Sequence, residues 1–204
     1  MDADLTARID ACAALLRQGG VVAYPTETFY GLGALASRED ALERLARAKL
    51  RPDGKPLPLL AADLAQVAEV AVLGGDAALR LAGALWPGPL TLVLPARPGL
   101  SPLVTAGDAT VAIRIPGSAV ARRLAAGAGG ALVSTSANVS GEPPALRPDD
   151  LSQALLARID AVLDGGPAPG GLPSTIVAFD GEAVRLVRAG AVPWEDIRRL
   201  AGPG

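Results

Sequence analysis

The stretch GGVVAYPTETFYGLG, residues 19–33, changes character twice. Gly19-Gly20 stops a helical pattern in which Leu5, Ile9, Cys12, Leu15 and Leu16 recur at helical spacing. Val21 to Tyr24 is a short β-rich run, and Pro25 ends it. Residues 26–33 then follow neither the helical nor the strand period. Outward from here the same alternation repeats. Helices are expected over 40–49, with Leu42 and Leu45 on one face, and over 63–70 and 76–85, with a strand over 56–61 between them. Further strands are expected over 90–94, 110–115 and 131–134, separated by a Pro/Gly-rich connection at 95–107 and a helix over 118–126. Residues 149–159 read as helix, 165–171 as a loop and 193–200 as a closing helix. Residues 175–179 and 183–187 read as strands paired around Asp180-Gly181. Strands interleaved with helices, plus a hairpin, give an α/β class with a mixed sheet. No repeat, charge block or interdomain linker divides it, so 1–204 is expected to be one domain.

Composition narrows the chemistry. Half of the 204 residues are hydrophobic but only 3% are aromatic, which suits aliphatic packing between helices and sheet. No apolar run approaches the ~20 residues of a membrane span. The acidic start at Met1-Asp2-Ala3-Asp4 does not begin like a signal peptide, so the cytoplasm is expected. There is no histidine, which excludes serine–histidine and cysteine–histidine nucleophile pairs. With Cys12 as the lone cysteine, an intrachain disulfide and a structural zinc site are excluded as well. No metal-ligating set is expected, although magnesium held by carboxylates, water and substrate phosphates remains compatible. A net charge of −2 argues against a protein whose main task is coating nucleic acid. Of the 19 basic residues only Lys49 and Lys55 are lysine, and they fall in one short segment.

Several segments could carry chemistry, each with a plainer alternative. Gly31-Leu32-Gly33-Ala34-Leu35-Ala36 fits the loose G-x-G-x-x-A pattern. Six residues, however, separate its first glycine from Tyr24, so it does not sit at a strand-to-helix turn. No G-x-x-x-x-G-K-[ST] loop occurs. ARAKLRPDGKPLP at 46–58 delivers Lys49, Arg51 and Lys55 onto a Pro52-Asp53-Gly54 turn. They form either a triphosphate grip or a solvated helix end. ALVSTSANVSG at 131–141 alternates Ser134, Ser136, Asn138 and Ser140. An extended backbone would point all four one way, whereas a serine-rich turn would use them on its own backbone. Arg114 ends the run 110–114 where ligands of α/β sheets bind, or is an ordinary edge charge. Trp86-Pro87-Gly88-Pro89 reads as a rigid architectural turn.

Together these segments resemble the YrdC-like family of threonylcarbamoyl-AMP synthases. The resemblance rests on PTETFYGLG at 25–33, Lys49 and Arg51 as K-x-R, WPGPLT at 86–91, TVAIR at 110–114 and STSANVSG at 134–141. STIV at 174–177, followed by Arg188, completes it. It implies a twisted mixed sheet around a concave, positively charged cavity. It also implies a reaction in which L-threonine, bicarbonate and ATP give threonylcarbamoyl-adenylate and pyrophosphate. A partner transferase would then modify the adenosine beside a tRNA anticodon. Carried over by residue, Thr28, Arg114, Ser134 and Ser174 are implied as threonine contacts. Arg51, Lys55, Thr110, Ser136, Asn138 and Arg188 are implied as ATP contacts, with Lys49 beside them and Lys49 and Arg51 as the catalytic pair. ATP is then a substrate, accompanied by magnesium. The chain departs from some members at Leu60, where they have histidine, and at Pro144, where they have serine; both bear on amino-acid selectivity. Competing readings are the carbamoyl-adenylate module of hydrogenase maturation factors and a non-catalytic RNA- or ribosome-associated factor. Weak tRNA or double-stranded RNA binding is a further expectation. Arg122 is expected on an exposed helix face.

Overall fold

The computed structural model describes residues 2–49 and 56–202. The chain begins with α1 (Ala3–Arg17), β1 (Val22–Pro25), β2 (Tyr30–Leu35), α2 (Glu39–Ala48) and β3 (Leu59–Leu60). There follow α3 (Leu64–Val70), α4 (Asp76–Leu85), β4 (Leu90–Pro95), α5 (Pro102–Thr105), β5 (Thr110–Arg114), α6 (Ala119–Ala128) and β6 (Leu132–Ser136). The last elements are α7 (Gln153–Leu156), β7 (Ala161–Val162), β8 (Thr175–Asp180), β9 (Ala183–Arg188) and α8 (Trp194–Ala201). Among the described residues the strands join one mixed sheet in the order β7-β1-β2-β6-β3-β5-β4-β8-β9. The pairs β1·β7, β3·β5 and β4·β8 run parallel and the others antiparallel.

Alternation along the strands makes three layers. Val22 and Tyr24 pack with Ile9 and Leu16 of α1 and Leu124 of α6. Val21 and Ala23, pointing the other way, join Leu42 and Leu45 of α2, Leu81 of α4 and Ile197 of α8. Because successive side chains serve opposite cores, the strands read as apolar runs rather than polar–apolar alternations. Each fully buried leucine contributes about 2 kcal/mol. The helices start where local chemistry dictates: Asp2 accepts from the Leu5 amide, Asp63 from that of Gln66, and Ser118 from that of Ala121. Gly19, at φ +87°, ends α1 as expected.

Four expectations change. Residues 26–33 are not all irregular: β2 occupies their second half, buried throughout, and its two glycines erase the period. The expected helix over 149–159 shortens to a 3-10 turn at Pro148–Asp150 and the single turn of α7, which Ser152 caps afresh. The strand over 56–61 keeps only Leu59 and Leu60, because Pro56 and Pro58 have no amide to donate. The connection at 95–107 contains α5, opened by Ser101 and Pro102. The hairpin around Asp180-Gly181 is present with Gly181 at φ +58°.

Candidate active site

Gly31 and Gly33 form a groove inside β2, not a phosphate turn. Tyr24, paired with Gly31, lays its ring across both. A Cβ on Gly33 would stand 2.6 Å from Tyr24 Cε1, and one on Gly31 would stand 3.3 Å from both Tyr24 Cζ and Ser134 Oγ. Glycine here is a matter of space. The Tyr24 hydroxyl is fully buried, and burial pushes its pKa up to about 12. The turn that joins β1 to β2 is held by Thr26. Its Oγ1 donates to the Phe29 carbonyl at 2.7 Å and accepts from the Thr28 amide at 3.2 Å. Gly170 adds a backbone bond to the Thr28 carbonyl at 2.8 Å.

This turn, the carboxyl ends of β5 and β6, the entry to β8 and the end of β9 surround a cavity of about 310 Å³. Thr28, Arg114, Ser134, Ser136, Ser174 and Arg188 all line it. Arg114 arrives at the end of β5, and the Trp86–Pro89 turn braces that end through Gly88, whose amide donates to the Ile115 carbonyl at 2.9 Å. Behind Arg114 stands Glu27, with Nε and Oε1 3.5 Å apart and side chains only 12% and 16% exposed. That is ion-pair distance without hydrogen-bond alignment, and neither atom has a hydrogen-bond partner among the described residues. Glu27 also accepts from the Ser118 amide at the start of α6, at 3.3 Å. Arg188 donates to the Ser174 carbonyl at 2.7 Å and to Ser174 Oγ at 3.0 Å. Burial, and then the like charge of Arg114, lower the Arg188 pKa. Two guanidiniums, that of Arg114 largely withdrawn from solvent and that of Arg188 on an exposed residue, against one carboxylate leave the cavity with a cationic excess suited to an anion.

The 131–141 segment is extended only through Ser136. Ser134 and Ser136 line the cavity, but the chain then turns, and Asn138 faces Ser136 and Lys49 instead. Lys49 is 3% exposed, and its ammonium donates to the carbonyls of Ser136 and Asn138, the latter at 2.7 Å. It ties the end of α2 to the end of β6 and is not among the cavity-lining side chains. Thr110 is also displaced from the expected cluster: exposed and paired with Pro95, it begins the strand that Arg114 ends, roughly 13 Å away at 3.3 Å per residue. Arg51 and Lys55 lie outside the described residues. Of the two departures, Pro144 lines the cavity, whereas Leu60 is buried against Tyr24 and Leu132 in the α1/α6 layer. Arg122 is no idle surface residue, since it donates to the Pro116 and Gly117 carbonyls at 2.6 and 2.8 Å.

Thr26, Glu27 and Thr91 belong to the site but carried no assignment from sequence. The available signal was polarity out of place: Glu27 between two apolar strands, and Thr91 within the run Leu90–Leu94. Thr91 is 2% exposed and lines the cavity. Among the described residues no three acidic or cysteine side chains converge to hold a metal. No described helix is long and apolar enough to cross a membrane.

The family described as Telomere recombination (Sua5/YciO/YrdC) matches residues 14–190. Threonylcarbamoyl-AMP synthase of Bacillus subtilis (strain 168) is 41% identical over 197 residues, 96% of this chain and 57% of that protein. The enzyme of the same name from Stenotrophomonas maltophilia (strain K279a) is 45% identical over 159 residues, 77% of this chain and 86% of that one. The crystal structure of P. abyssi Sua5 complexed with L-threonine superposes with a TM-score of 0.90 at 36% identity, covering 95% of this chain and 57% of that one. The chain thus spans little more than half the length of the Bacillus and Pyrococcus proteins.

Proposed function

The chain belongs to the Sua5/YciO/YrdC family, and we propose that it is a nucleotidyltransferase making L-threonylcarbamoyl-adenylate from L-threonine, bicarbonate and ATP, with release of pyrophosphate. The observation that carries this reading is the pair of arginines, Arg114 and Arg188, facing one hydroxyl-lined cavity. Arg114 would take the threonine carboxylate with Ser174 beside it, and Thr28 and Ser134 would surround the rest of the amino acid. Arg188 and Ser136, with Arg51 and Lys55, would hold the ATP phosphates. The threonine nitrogen attacks the bicarbonate carbon and water leaves, giving an N-carboxylate. One of its oxygens then attacks the α-phosphorus, and the bond to pyrophosphate breaks. Such a displacement asks the protein for alignment and charge stabilisation rather than a nucleophile, and a chain without histidine can supply both.

Magnesium would accompany the ATP phosphates as part of the substrate. The adenylate would pass to a transferase that modifies tRNA. The decisive measurement is pyrophosphate release from ATP and bicarbonate with and without L-threonine. Release should depend almost wholly on threonine. Threonine-independent hydrolysis, or none under either condition, would remove the proposal.

A further inference from the structure

The hydroxyls of the cavity have a direction that the arginines impose. Ser174 Oγ lies 3.0 Å from Arg188 Nη2 and 2.9 Å from Thr91 Oγ1. A guanidinium has donors and no acceptor, so Ser174 Oγ accepts from Arg188. The Thr91–Ser174 pair holds two hydroxyl protons, and one of them lies between the two oxygens. The other has no acceptor among the described residues. Both hydroxyls line the cavity and both residues are almost wholly buried, Thr91 at 2% and Ser174 at 3% exposure. The surplus proton therefore faces the ligand. Leaving it without an acceptor is costly in a buried site.

The opposite wall has the reverse polarity. The proton of Thr26 Oγ1 is committed to the Phe29 carbonyl at 2.7 Å. The 3.1 Å contact between Thr26 Oγ1 and Thr28 Oγ1 must then use the Thr28 proton, which leaves Thr28 lone pairs towards the cavity. One wall accepts and the other donates. An amino acid presents the complement, an ammonium at one end and a carboxylate at the other.

Resting on the reading that L-threonine occupies this cavity, we propose that Thr91 is a positioning residue for the substrate carboxylate. Its hydroxyl, coupled through Ser174 to Arg188, commits that wall to donating a hydrogen bond. Without Thr91 the Ser174 hydroxyl keeps its own proton and also gains a lone pair. It can then turn to accept from a ligand as readily as to donate to one. The consequence is selectivity between an acid and its amide. L-Threoninamide keeps the side chain of threonine but offers an NH2 donor where the acid offers an oxygen.

The experiment compares L-threonine and L-threoninamide binding, by calorimetry, to the wild-type chain, Thr91→Val and Thr91→Ser. Valine keeps the β-branched shape suited to a strand, and serine restores the hydroxyl. The wild-type protein should prefer the acid. Thr91→Val should lose about five- to tenfold of that preference, the worth of one hydrogen bond at such a site, while Thr91→Ser keeps it. Equal weakening of both ligands in Thr91→Val, or no change in either, would assign Thr91 to packing and overturn the proposal. Should Thr91→Val not fold, loss of the preference in Thr91→Ser would overturn it, and retention with lowered stability would support it. A wild-type protein that binds the acid leaves the functional reading standing whatever the variants do. One that binds neither ligand overturns that reading and this inference together.

Discussion

Arg114 Nε stands 3.5 Å from Glu27 Oε1, and both side chains are nearly withdrawn from solvent. The two are held from different directions, Glu27 by the amide that opens α6 and Arg114 by the strand that precedes it. Glu27→Ala would leave a buried guanidinium without its countercharge, at a cost of about 3 kcal/mol. For a domain of this size that is a fall of about 6–12 °C in Tm. L-Threonine should restore part of it, because its carboxylate replaces the missing charge. Thermal melts with and without threonine measure both, and an unchanged Tm in the variant would show that the pair contributes nothing.

Arg114→Ala separates ligand binding from architecture. Threonine binding should weaken by ~2–5 kcal/mol, the range for truncating one partner of a buried charge pair. ATP binding should change much less. Calorimetric titration with each ligand decides it: equal losses would make Arg114 a structural residue.

Lys49→Met tests whether the ammonium serves the fold or the ligand. Methionine fills the volume but takes one donor from the Ser136 carbonyl, which keeps the Asn138 amide, and removes the ammonium from the Asn138 carbonyl, a loss of ~1–3 kcal/mol for a buried acceptor left unpaired. The turn after β6 should loosen, and hydrogen exchange should accelerate at the Asn138 amide, which closes that turn, and at the Ser140 amide, which donates to the Lys49 carbonyl. If activity falls while exchange there stays slow, the ammonium acts on substrate instead.

Arg51→Ala addresses the triphosphate grip proposed for the 46–58 segment. Loss of one preorganised charge that follows the leaving pyrophosphate costs ~3–4 kcal/mol, about a hundred- to a thousandfold in kcat/KM. Stability should stay within ~0.5 kcal/mol. The control is Arg47→Ala, since Arg47 is 68% exposed and meets Glu43 at 3.4 Å. Indistinguishable activity in the two variants would remove Arg51 from the site.

Alkaline titration reports on the two buried tyrosines of the β1–β2 hairpin. Burial raises the pKa of Tyr24 to about 12; burial, followed by Asp164, raises that of Tyr30 to about 12. With folded values above the ordinary 10, the unfolded chain ionises first. The tyrosine contribution to stability is therefore complete below pH 10 and is lost as pH rises towards 12. Phenolate absorbance should stay absent near pH 10 and appear close to 12 or with unfolding. A native tyrosine ionising near 10 would contradict this burial.

Much of the fold was legible because helix signals are local. The Gly19-Gly20 stop, the Ser118 cap and the Asp180-Gly181 turn each act within a few residues of themselves. The second half of PTETFYGLG was not legible as a strand. The groove at Gly31 and Gly33 exists for the Tyr24 ring on a neighbouring strand, and no periodicity reports a partner's side chain. At the site, residues in or next to strands were found: Arg114, Ser134, Ser174 and Arg188 converge on one cavity. Thr110 and Asn138 do not join them, because a matching motif says which residues are kept together in sequence, not which way each one faces. Asn138 needed a turn and a buried lysine ammonium that spacing alone cannot reveal.

The order of the sheet sets when during synthesis the cavity becomes complete. Translation delivers the hairpin of β8 and β9 last among the strands, and β8 docks in parallel on β4. That docking brings Ser174 to Thr91 and Arg188 to Ser174. A nascent chain released before that hairpin emerges could pair its other strands and bury most of its leucines. It would still lack the cation and the hydroxyl that orient a ligand. Arg114 would face an open trough with one charged wall, so the proposed site would stay incomplete until the ribosome has made the strand that ends in Arg188.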